Sequence, residues 1–214
     1  MFHLPKDRIV FPPVNKASKE GLLAMGGDLS IERLTLAYQC GIFPWYGTHE
    51  EILWWAPNPR MILFPKEVKI SKSMRQLIKK GIYTITENKA FDEVIDNCAT
   101  IHKAGEDEAW LHQDMIIAYK KLFKTGLAHS VEVWNKKGEL VGGLYGVKIN
   151  KHIYSGESMF HKESNTSKLA FIYLAQMAEK NNIEMIDCQM HTPHLESLGA
   201  REIPRASFMR FLKG

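Results

Sequence analysis

Cysteine is scarce in this chain, with only Cys40, Cys98 and Cys188 among 214 residues. An odd number of cysteines without paired spacing, in a chain of this length, excludes a disulfide-stapled scaffold and indicates reduced thiols. Long hydrophobic runs are also missing, because no apolar stretch approaches the roughly 20 residues that span a bilayer. The first residues, Met1 to Lys6, lack the basic and then apolar layout of a signal peptide. We therefore expect a cytoplasmic protein without a membrane partner.

Internal repeats and low-complexity tracts are absent from the sequence as well, which argues against solenoid and fibrous classes. The formal net charge of +4 is too modest to identify a nucleic-acid-binding protein by itself. A hydrophobic content of 45% and a charged content of 24% are typical of a globular domain. The length allows one sizeable core and leaves room for a smaller second lobe.

The composition changes along the chain. Residues 1–64 are rich in Gly, Pro and Trp, which predicts a small, loop-rich N-terminal lobe with one helix between a Ser30 cap and a Gly41 stop. Residues 65–214 carry longer periodic patterns and are predicted to form a second domain. These patterns predict helices at 71–80, 91–99, 114–123, 165–180 and 206–212, a three-stranded antiparallel meander over 128–155, and a buried strand at 184–188. Helix, meander and strand together indicate an α/β unit.

Two short segments carry candidate catalytic groups. Asp187 and Gln189 flank Cys188 at the end of the buried strand, where a period of two turns both side chains to one side and Cys188 to the other. Glu157, in the segment 156–160, directly follows the third predicted strand and can face a cleft. Spacing alone slightly favours structural roles, with Asp187 as a helix cap, Gln189 hydrogen-bonded to a loop, and Glu157 as a helix-dipole partner or a member of a surface ion pair.

Two other motifs are rejected as cofactor sites. The glycine-rich segment 142–146 lies between strand-like stretches and lacks the strand-turn-helix context of a dinucleotide loop, so its glycines indicate a close approach of another backbone or ligand, or a bulge. Cys188, His191 and His194 recur every third residue, but Pro193 interrupts them and no fourth ligand follows. We therefore expect no bound metal.

Basic residues cluster in one place. Between Lys66 and Lys80 six lysines and arginines oppose the single acid Glu67, a local excess that can attract phosphates or can simply form a solvated helix face. Trp45 and Trp110 lie in turn-rich sequence, where an exposed ring could stack on a base, although tryptophans can equally belong to the core. Binding of nucleic acid is thus one of two open interpretations.

Several longer motifs are more specific. They are Gly21-Leu22-Leu23-Ala24-Met25-Gly26-Gly27-Asp28-Leu29, Gly41-Ile42-Phe43-Pro44-Trp45, Trp54-Trp55-Ala56-Pro57-Asn58-Pro59-Arg60, Gly156-Glu157-Ser158-Met159-Phe160 and Ile186-Asp187-Cys188-Gln189. With these motifs in this order, the sequence closely resembles the leucyl/phenylalanyl-tRNA–protein transferases, and the resemblance extends over nearly the whole chain.

The resemblance implies a fold and an activity. The fold is a small N-terminal lobe followed by a domain similar to N-acetyltransferases, with a mixed, mostly antiparallel sheet. The activity is the transfer of leucine or phenylalanine, with methionine as a further candidate, from tRNA to proteins that begin with arginine or lysine, in the N-degron pathway of protein degradation. No cofactor is expected, because aminoacyl-tRNA is itself the substrate. The alternatives are a coenzyme-A-dependent N-acetyltransferase, disfavoured because the chain lacks a Gln/Arg-x-x-Gly-x-Gly loop, and a non-catalytic tRNA-binding protein.

The resemblance also assigns roles to individual residues. It implies that Asp187 and Gln189 form the catalytic pair, with the Gln189 carbonyl orienting the acceptor amine, and that Glu157 is an acid near the acceptor. Trp45 and Trp110 resemble the aromatic residues that hold the terminal adenosine of the donor. The positions that match the apolar amino-acid pocket are Leu144, Tyr154, Phe171 and Leu174. With a tRNA donor, the basic helix is expected to hold the tRNA backbone through Lys72, Arg75, Lys79 and Lys80.

Overall fold

The computed structural model of the protein describes residues 1–47, 50–105 and 111–213, with the backbone alone for 101–105. The strands are β1 (Phe2–Leu4), β2 (Leu22–Gly26), β3 (Phe43–Pro44), β4 (Leu53–Trp55), β5 (Arg60–Leu63), β6 (Thr84–Glu87), β7 (Ala128–Trp134), β8 (Leu140–Lys148), β9 (Ile153–His161), β10 (Met185–Gln189) and β11 (Arg201–Ile203). The helices are α1 (Ile31–Gln39), α2 (Lys72–Lys80), α3 (Phe91–Gly105), α4 (Gln113–Lys124), α5 (Thr166–Lys180), α6 (Pro193–Ser197) and α7 (Arg205–Lys213). Within these ranges, none of the helices is long and apolar enough to cross a lipid bilayer.

A small sheet organises the N-terminal part of the chain, which the sequence predicted to be mostly loop. Its strand order is β1-β2-β4-β3, with β1 parallel to β2 and the other pairs antiparallel. The predicted helix of this part is confirmed as α1. The Ser30 hydroxyl accepts the Arg33 amide at 3.3 Å at its start, and Gly41 follows its end with φ 73°.

A seven-stranded sheet with the order β11-β5-β10-β9-β8-β7-β6 forms the larger part of the molecule. Only β9 and β10 run parallel within it, so the predicted mixed, mostly antiparallel sheet is confirmed. Strand β5 belongs to this sheet, although it precedes residue 64. The change from the first sheet to the second therefore falls between Trp55 and Arg60, and the proposed division into 1–64 and 65–214 stays a prediction.

The third strand of the meander is longer than the sequence indicated. It was predicted to end at Ser155, but β9 stays paired with β8 as far as the pair Gly142 and His161. Close backbone approach allows this pairing, because a Cβ on Gly146 would lie 2.1 Å from the Ser155 carbonyl oxygen. Glu157 therefore lies inside a strand and not in the loop after it.

Helices cover both faces of the large sheet. Helices α3 and α4 pack on one face together with the first sheet and α1, and their apolar side chains form one continuous cluster. Helix α5 covers the other face with a second cluster, and α7 closes a third, smaller cluster around Phe208. The candidate residues lie in the middle of this layered structure, where β9 and β10 separate.

Candidate active site

The site lies where two parallel strands diverge. Pairing of β9 with β10 stops at Ser155 and Asp187, after which β9 continues along β8 and β10 continues along β5. Asp187 pairs with Ile62 and Gln189 with Met61, which makes Cys188 an extra, bulged residue on β10. A cavity of about 230 Å³ opens between the two strands.

Asp187 is held in a buried ion pair. Arg60 donates to it through Nε at 2.8 Å and Nη2 at 2.7 Å, and both side chains are almost fully buried. The Arg60 guanidinium lies 4.8 Å from the ring centroids of both Phe43 and Phe208, so the faces of these two aromatic rings cover it. Because Asp187 is paired and has no exposed surface, it is not a free carboxylate facing the cavity.

Asp187 controls the backbone of its neighbour. Its Oδ1 accepts the backbone N–H of Gln189 at 3.0 Å, and Gln189 has the left-handed φ of 64°. The two side chains do not bind each other, because the bulge breaks the alternation on which the sequence-based prediction rested. Asp187 thus acts on the position of Gln189 through the main chain.

The Gln189 side chain is fixed by groups on β9. Its Nε2 donates to Glu157 Oε1 at 2.9 Å and to Ser155 Oγ at 3.3 Å. Both contacts use the amide nitrogen, which leaves the carbonyl oxygen as an acceptor for another molecule. Gln189 and Glu157 both line the cavity, so the structure brings these two candidate residues together.

Glu157 receives several hydrogen bonds. Ser155 donates to Oε1 at 2.9 Å, and Tyr119 on α4 donates to Oε2 at 3.1 Å. Burial raises the pKa of Glu157 above its ordinary value, and hydrogen bonds from Ser155, Tyr38, Gln189 and Tyr119 oppose that rise by favouring the ionised form. Glu157 as a whole is partly buried and lines the cavity.

Cys188 is not arranged as a nucleophile. It is buried among apolar side chains around α5, as expected of a core cysteine, but it lines the same cavity as Gln189. The prediction that Cys188 turns to the opposite side is therefore wrong, because the bulge breaks the alternation of the strand. Burial, together with the charge of Asp187, raises the pKa of this thiol far above its ordinary value. The thiol is therefore protonated at neutral pH, and the residue serves as part of the core.

The apolar wall of the cavity includes most of the predicted pocket residues. Leu144, Phe171 and Leu174 line it together with Met159. Tyr154 does not: it lies at a separate cavity, and its hydroxyl donates to the His129 carbonyl oxygen at 3.3 Å. Tyr154 is the residue preceding Ser155, where β9 is still paired on both sides, so it lies beneath the point of divergence. We exclude it from the amino-acid pocket on this ground.

The predicted nucleotide-stacking residues are only partly described. The side chain of Trp45 is 37% exposed, and its ring contacts Trp55 edge-on with centroids 5.5 Å apart. The Trp55 Nε1 donates to the Trp45 carbonyl oxygen at 2.6 Å and so fixes the backbone that carries the exposed ring. Trp110 lies outside the described residues.

No candidate metal site is found in the described part of the chain, where no three or more His, Cys, Asp or Glu side chains converge. His191 instead bonds to Glu196 at 3.2 Å on the surface.

Comparison with known proteins identifies the family. Residues 62–213 match the family described as leucyl/phenylalanyl-tRNA protein transferase, and residues 27–58 match the N-terminal domain of the same family. A protein from Flavobacterium johnsoniae named leucyl/phenylalanyl-tRNA–protein transferase is 54% identical over 213 residues, which are 100% of this chain and 99% of the relative. Proteins of that name from Syntrophobacter fumaroxidans and Nitrosomonas eutropha are 48% and 52% identical, over 96% and 94% of this chain and 87% and 86% of theirs.

The chain belongs to the leucyl/phenylalanyl-tRNA–protein transferase family. It is therefore a member of an enzyme family, as the resemblance predicted. Among solved structures, a protein of unknown function from Bacteroides thetaiotaomicron superposes on it with a TM-score of 0.50 at 12% identity, over 65% of this chain and 53% of that one. A GCN5-related N-acetyltransferase from Kribbella flavida gives 0.43 at 10% identity, over 77% and 58%.

The helix predicted to carry the basic residues of this family member is confirmed as α2. Ser71 caps α2 by accepting the Met74 amide at 3.2 Å, and Gly81 ends it in the left-handed conformation with φ 58°. Met74 is the buried residue of the helix, while the four basic side chains of the predicted tRNA surface are exposed, namely Lys72, Arg75, Lys79 and Lys80. Among the described residues none of these four forms an ion pair, so their charges are available to a polyanion.

The sequence did not reveal several residues that hold the candidate site together. Arg60 is the last residue of the Trp54-to-Arg60 motif. The available signal for its role was Asp187, because a carboxylate on a strand predicted to be buried needs a cation as its partner. Tyr38 and Tyr119 follow the apolar patterns of α1 and α4, which are typical of ordinary core residues. Nothing in their spacing distinguishes them, because their hydroxyl contacts arise only when the helices dock on the sheet.

Proposed function

We propose that this chain transfers leucine or phenylalanine from aminoacyl-tRNA to the N-terminal α-amine of proteins that begin with arginine or lysine, and thereby directs them to degradation through an N-degron pathway. The names of its relatives support the donors. The single observation that carries the proposal is the apolar cavity of about 230 Å³ beside the fixed amide of Gln189. That arrangement suits an enzyme that must align an apolar aminoacyl group with an amine.

The cavity supports selection of the donor by shape. Leu144, Phe171 and Leu174 would surround the side chain of the transferred amino acid, and Met159 adds an adaptable wall. A slot of this kind accepts leucine, phenylalanine and the flexible methionine, whereas β-branched side chains are disfavoured by their shape.

The chemistry requires alignment more than activation. The donor is an activated ester, and the acceptor α-amine has a reference pKa of about 8, so roughly a tenth of it is unprotonated near pH 7. The amine nitrogen attacks the ester carbonyl carbon, a C–N bond forms, the C–O bond to the ribose breaks, and the ribose oxygen leaves with a proton from the amine. Gln189 Oε1 would accept an N–H of the amine and direct its lone pair at the carbonyl.

Two carboxylates support Gln189 in different ways. Asp187 holds its backbone, and Glu157 holds its side-chain amide. Glu157 is also the carboxylate-bearing residue among the described side chains that line the cavity, which makes it our candidate for favouring a cationic acceptor. We therefore assign Glu157 chiefly to ordering the acceptor side of the site.

The donor tRNA is proposed to reach the cavity across α2. The unpaired basic side chains of this helix would bind the acceptor-stem backbone, and Trp45, with Trp110, would stack on the terminal adenosine. Because the ester bond supplies the free energy, we propose that neither a metal nor a cofactor takes part, and that the reaction occurs in the cytoplasm, where aminoacyl-tRNA is available.

Mass spectrometry tests this function. Peptides that begin with Arg, Lys or Asp are incubated with the protein and either Leu-tRNA or Phe-tRNA, and the mass gain of one aminoacyl residue is measured. We expect the gain on the Arg and Lys peptides and none on the Asp peptide. No gain on any peptide would contradict the proposal, and acetylation from acetyl-CoA in a parallel arm would point instead to an N-acetyltransferase.

A further inference from the structure

A chain of hydrogen-bonded hydroxyl and carboxyl groups extends from helix α1 to the candidate catalytic amide of Gln189. The Tyr38 and Tyr119 hydroxyl oxygens are 2.5 Å apart, Tyr119 donates to Glu157 Oε2 at 3.1 Å, and Glu157 Oε1 accepts from Gln189 Nε2 at 2.9 Å. Its members come from four separate elements, α1, α4, β9 and β10. Both tyrosines are at least 98% buried, since Tyr38 is 2% and Tyr119 1% exposed.

The orientation of a glutamine amide needs an external determinant. The oxygen and nitrogen ends of the amide are nearly equal in size, and rotation by a half-turn exchanges them. If the amide of Gln189 were reversed, its carbonyl oxygen would face Glu157 Oε1, and two acceptors would lie at hydrogen-bonding distance without a proton between them. Ionised Glu157 therefore selects the orientation that leaves the Gln189 carbonyl oxygen available to the substrate.

Glu157 keeps this role only while it remains an acceptor on Oε1. A protonated carboxyl group could donate to Gln189 and stabilise the reversed amide instead. Burial favours the protonated form, whereas hydrogen bonds from Tyr38 and Tyr119 favour the carboxylate, and Tyr119 donates to Oε2. Burial also raises the pKa values of Tyr38 and Tyr119 well above the ordinary value, so both remain neutral donors.

We infer that Tyr119, supported by Tyr38, is a positioning residue for aminoacyl transfer: its hydroxyl holds Glu157 as an acceptor, and Glu157 holds the Gln189 amide with its carbonyl oxygen free for the acceptor amine. This inference rests on the proposed function and names the residues that set the geometry of its central group. The neighbouring Tyr145 is equally buried, but its hydroxyl has no hydrogen-bond partner among the described residues, so it is not a member of this chain.

Hydroxyl deletions test the inference in steady-state transfer assays with Leu-tRNA and an Arg-initiated peptide. Tyr119→Phe is expected to lower kcat about 10- to 100-fold, the effect of losing one hydrogen bond to a charged group. The KM values for tRNA and peptide are expected to stay within about twofold, because Tyr119 does not line the cavity in which the substrates are proposed to bind. Tyr38→Phe should also lower kcat, because a hydrogen bond from Tyr38 likewise favours the ionised form of Glu157, and the double variant should be the slowest.

The matched control is Tyr173→Phe. It removes a tyrosine-to-glutamate hydrogen bond of 2.8 Å, to Glu87 on β6, which is three strands away from β9 in the sheet. Its kcat should equal that of the unmodified protein. Circular dichroism and the urea midpoint of each variant show that it is folded, and Tyr38→Phe supplies the test if Tyr119→Phe does not fold.

The outcomes separate the inference from the function on which it rests. If the unmodified protein transfers leucine and Tyr119→Phe is as fast as Tyr173→Phe, the positioning role is wrong while the function stands. A rise in KM with an unchanged kcat would likewise overturn it, because that pattern indicates a binding role. If the unmodified protein transfers nothing to any peptide, the proposed function has failed and the inference falls with it.

Discussion

Gln189 shows how much a single residue depends on its surroundings. A non-glycine residue with φ 64° is uncommon, and here an ion-paired Asp187 holds the backbone in that conformation while Glu157 holds the side chain. The residue is thus constrained at both ends. Such constraint is what a group needs if it aligns a nucleophile without acting as a base.

Removal of the Gln189 side chain should impair turnover more than binding. We expect Gln189→Ala to lower kcat on the order of 100-fold, because misalignment of the amine by about 1 Å has effects of that size, while the Kd for aminoacyl-tRNA stays nearly unchanged. Transfer kinetics and filter binding measure the two quantities. Gln176→Ala, an exposed glutamine on α5, is the control. Near-normal turnover of Gln189→Ala would remove this residue from the mechanism.

Arg60 should be important for stability. Arg60→Ala leaves a buried carboxylate without its cation, which typically costs about 3–5 kcal/mol of unfolding free energy. Arg201→Ala is the matched control, because Arg201 pairs with Glu67 at the surface with both side chains about half exposed, and loss of such a pair costs about 0–1 kcal/mol. Urea unfolding of both variants measures the difference. Equal losses would mean that the Arg60–Asp187 pair does not contribute as a buried pair.

At the scale of elements, long periodic segments were predictable and short ones were not. The patterns of α1, α2 and α5 predicted helices that the structure confirms, and the cap and stop predicted for α1 are confirmed as well. The strands of the first sheet are two to five residues long, too short for an alternation to be recognised. The bulge at Cys188 was also not predictable, because it depends on how β10 pairs with β5, 127 residues away along the chain.

Helix α2 should determine the salt dependence of tRNA binding. Exchange of Lys72, Arg75 and Lys79 for glutamine should weaken binding and reduce the slope of log K against log salt by about 1 for each phosphate that the variant no longer neutralises. Binding of unmodified and variant protein to Phe-tRNA is measured between low and physiological salt. The control exchanges three exposed lysines on other elements or turns, Lys16, Lys136 and Lys180. If both triple variants change the slope equally, the charge of the whole protein and not α2 governs binding.

At the scale of the whole molecule, the two sheets share one core. The apolar cluster that contains Leu34 and Trp54 of the N-terminal part also contains Tyr145 and Phe160 of the large sheet. The Arg60 guanidinium adds a second link, because it lies between Phe43 of the first sheet and Phe208 of α7. Neither sheet can therefore unfold without exposing apolar surface of the other.

Unfolding should consequently be a single transition. Three of the five tryptophans, Trp45, Trp54 and Trp55, lie in or beside the first sheet, so fluorescence reports mainly on that part, whereas far-ultraviolet circular dichroism reports on all helices and strands. We expect the two probes to give the same urea midpoint. A fluorescence transition that clearly precedes the dichroism transition would show that the N-terminal part is an independent domain.

The sequence by itself determined the family, the α/β class, the cap and stop of α1, the basic face of α2, and Asp187, Gln189 and Glu157 as candidates. These features depend on local periodicity or on motifs that are contiguous in the chain. Only the tertiary structure decided that Asp187 is neutralised by Arg60, that Glu157 lies within a strand and connects to Tyr119, and that Tyr154 does not line the cavity. The physical reason is that hydrogen bonds and ion pairs depend on the distance between side chains in space and not on their separation along the chain. The pairing of the strands around the point where β9 and β10 diverge sets those distances.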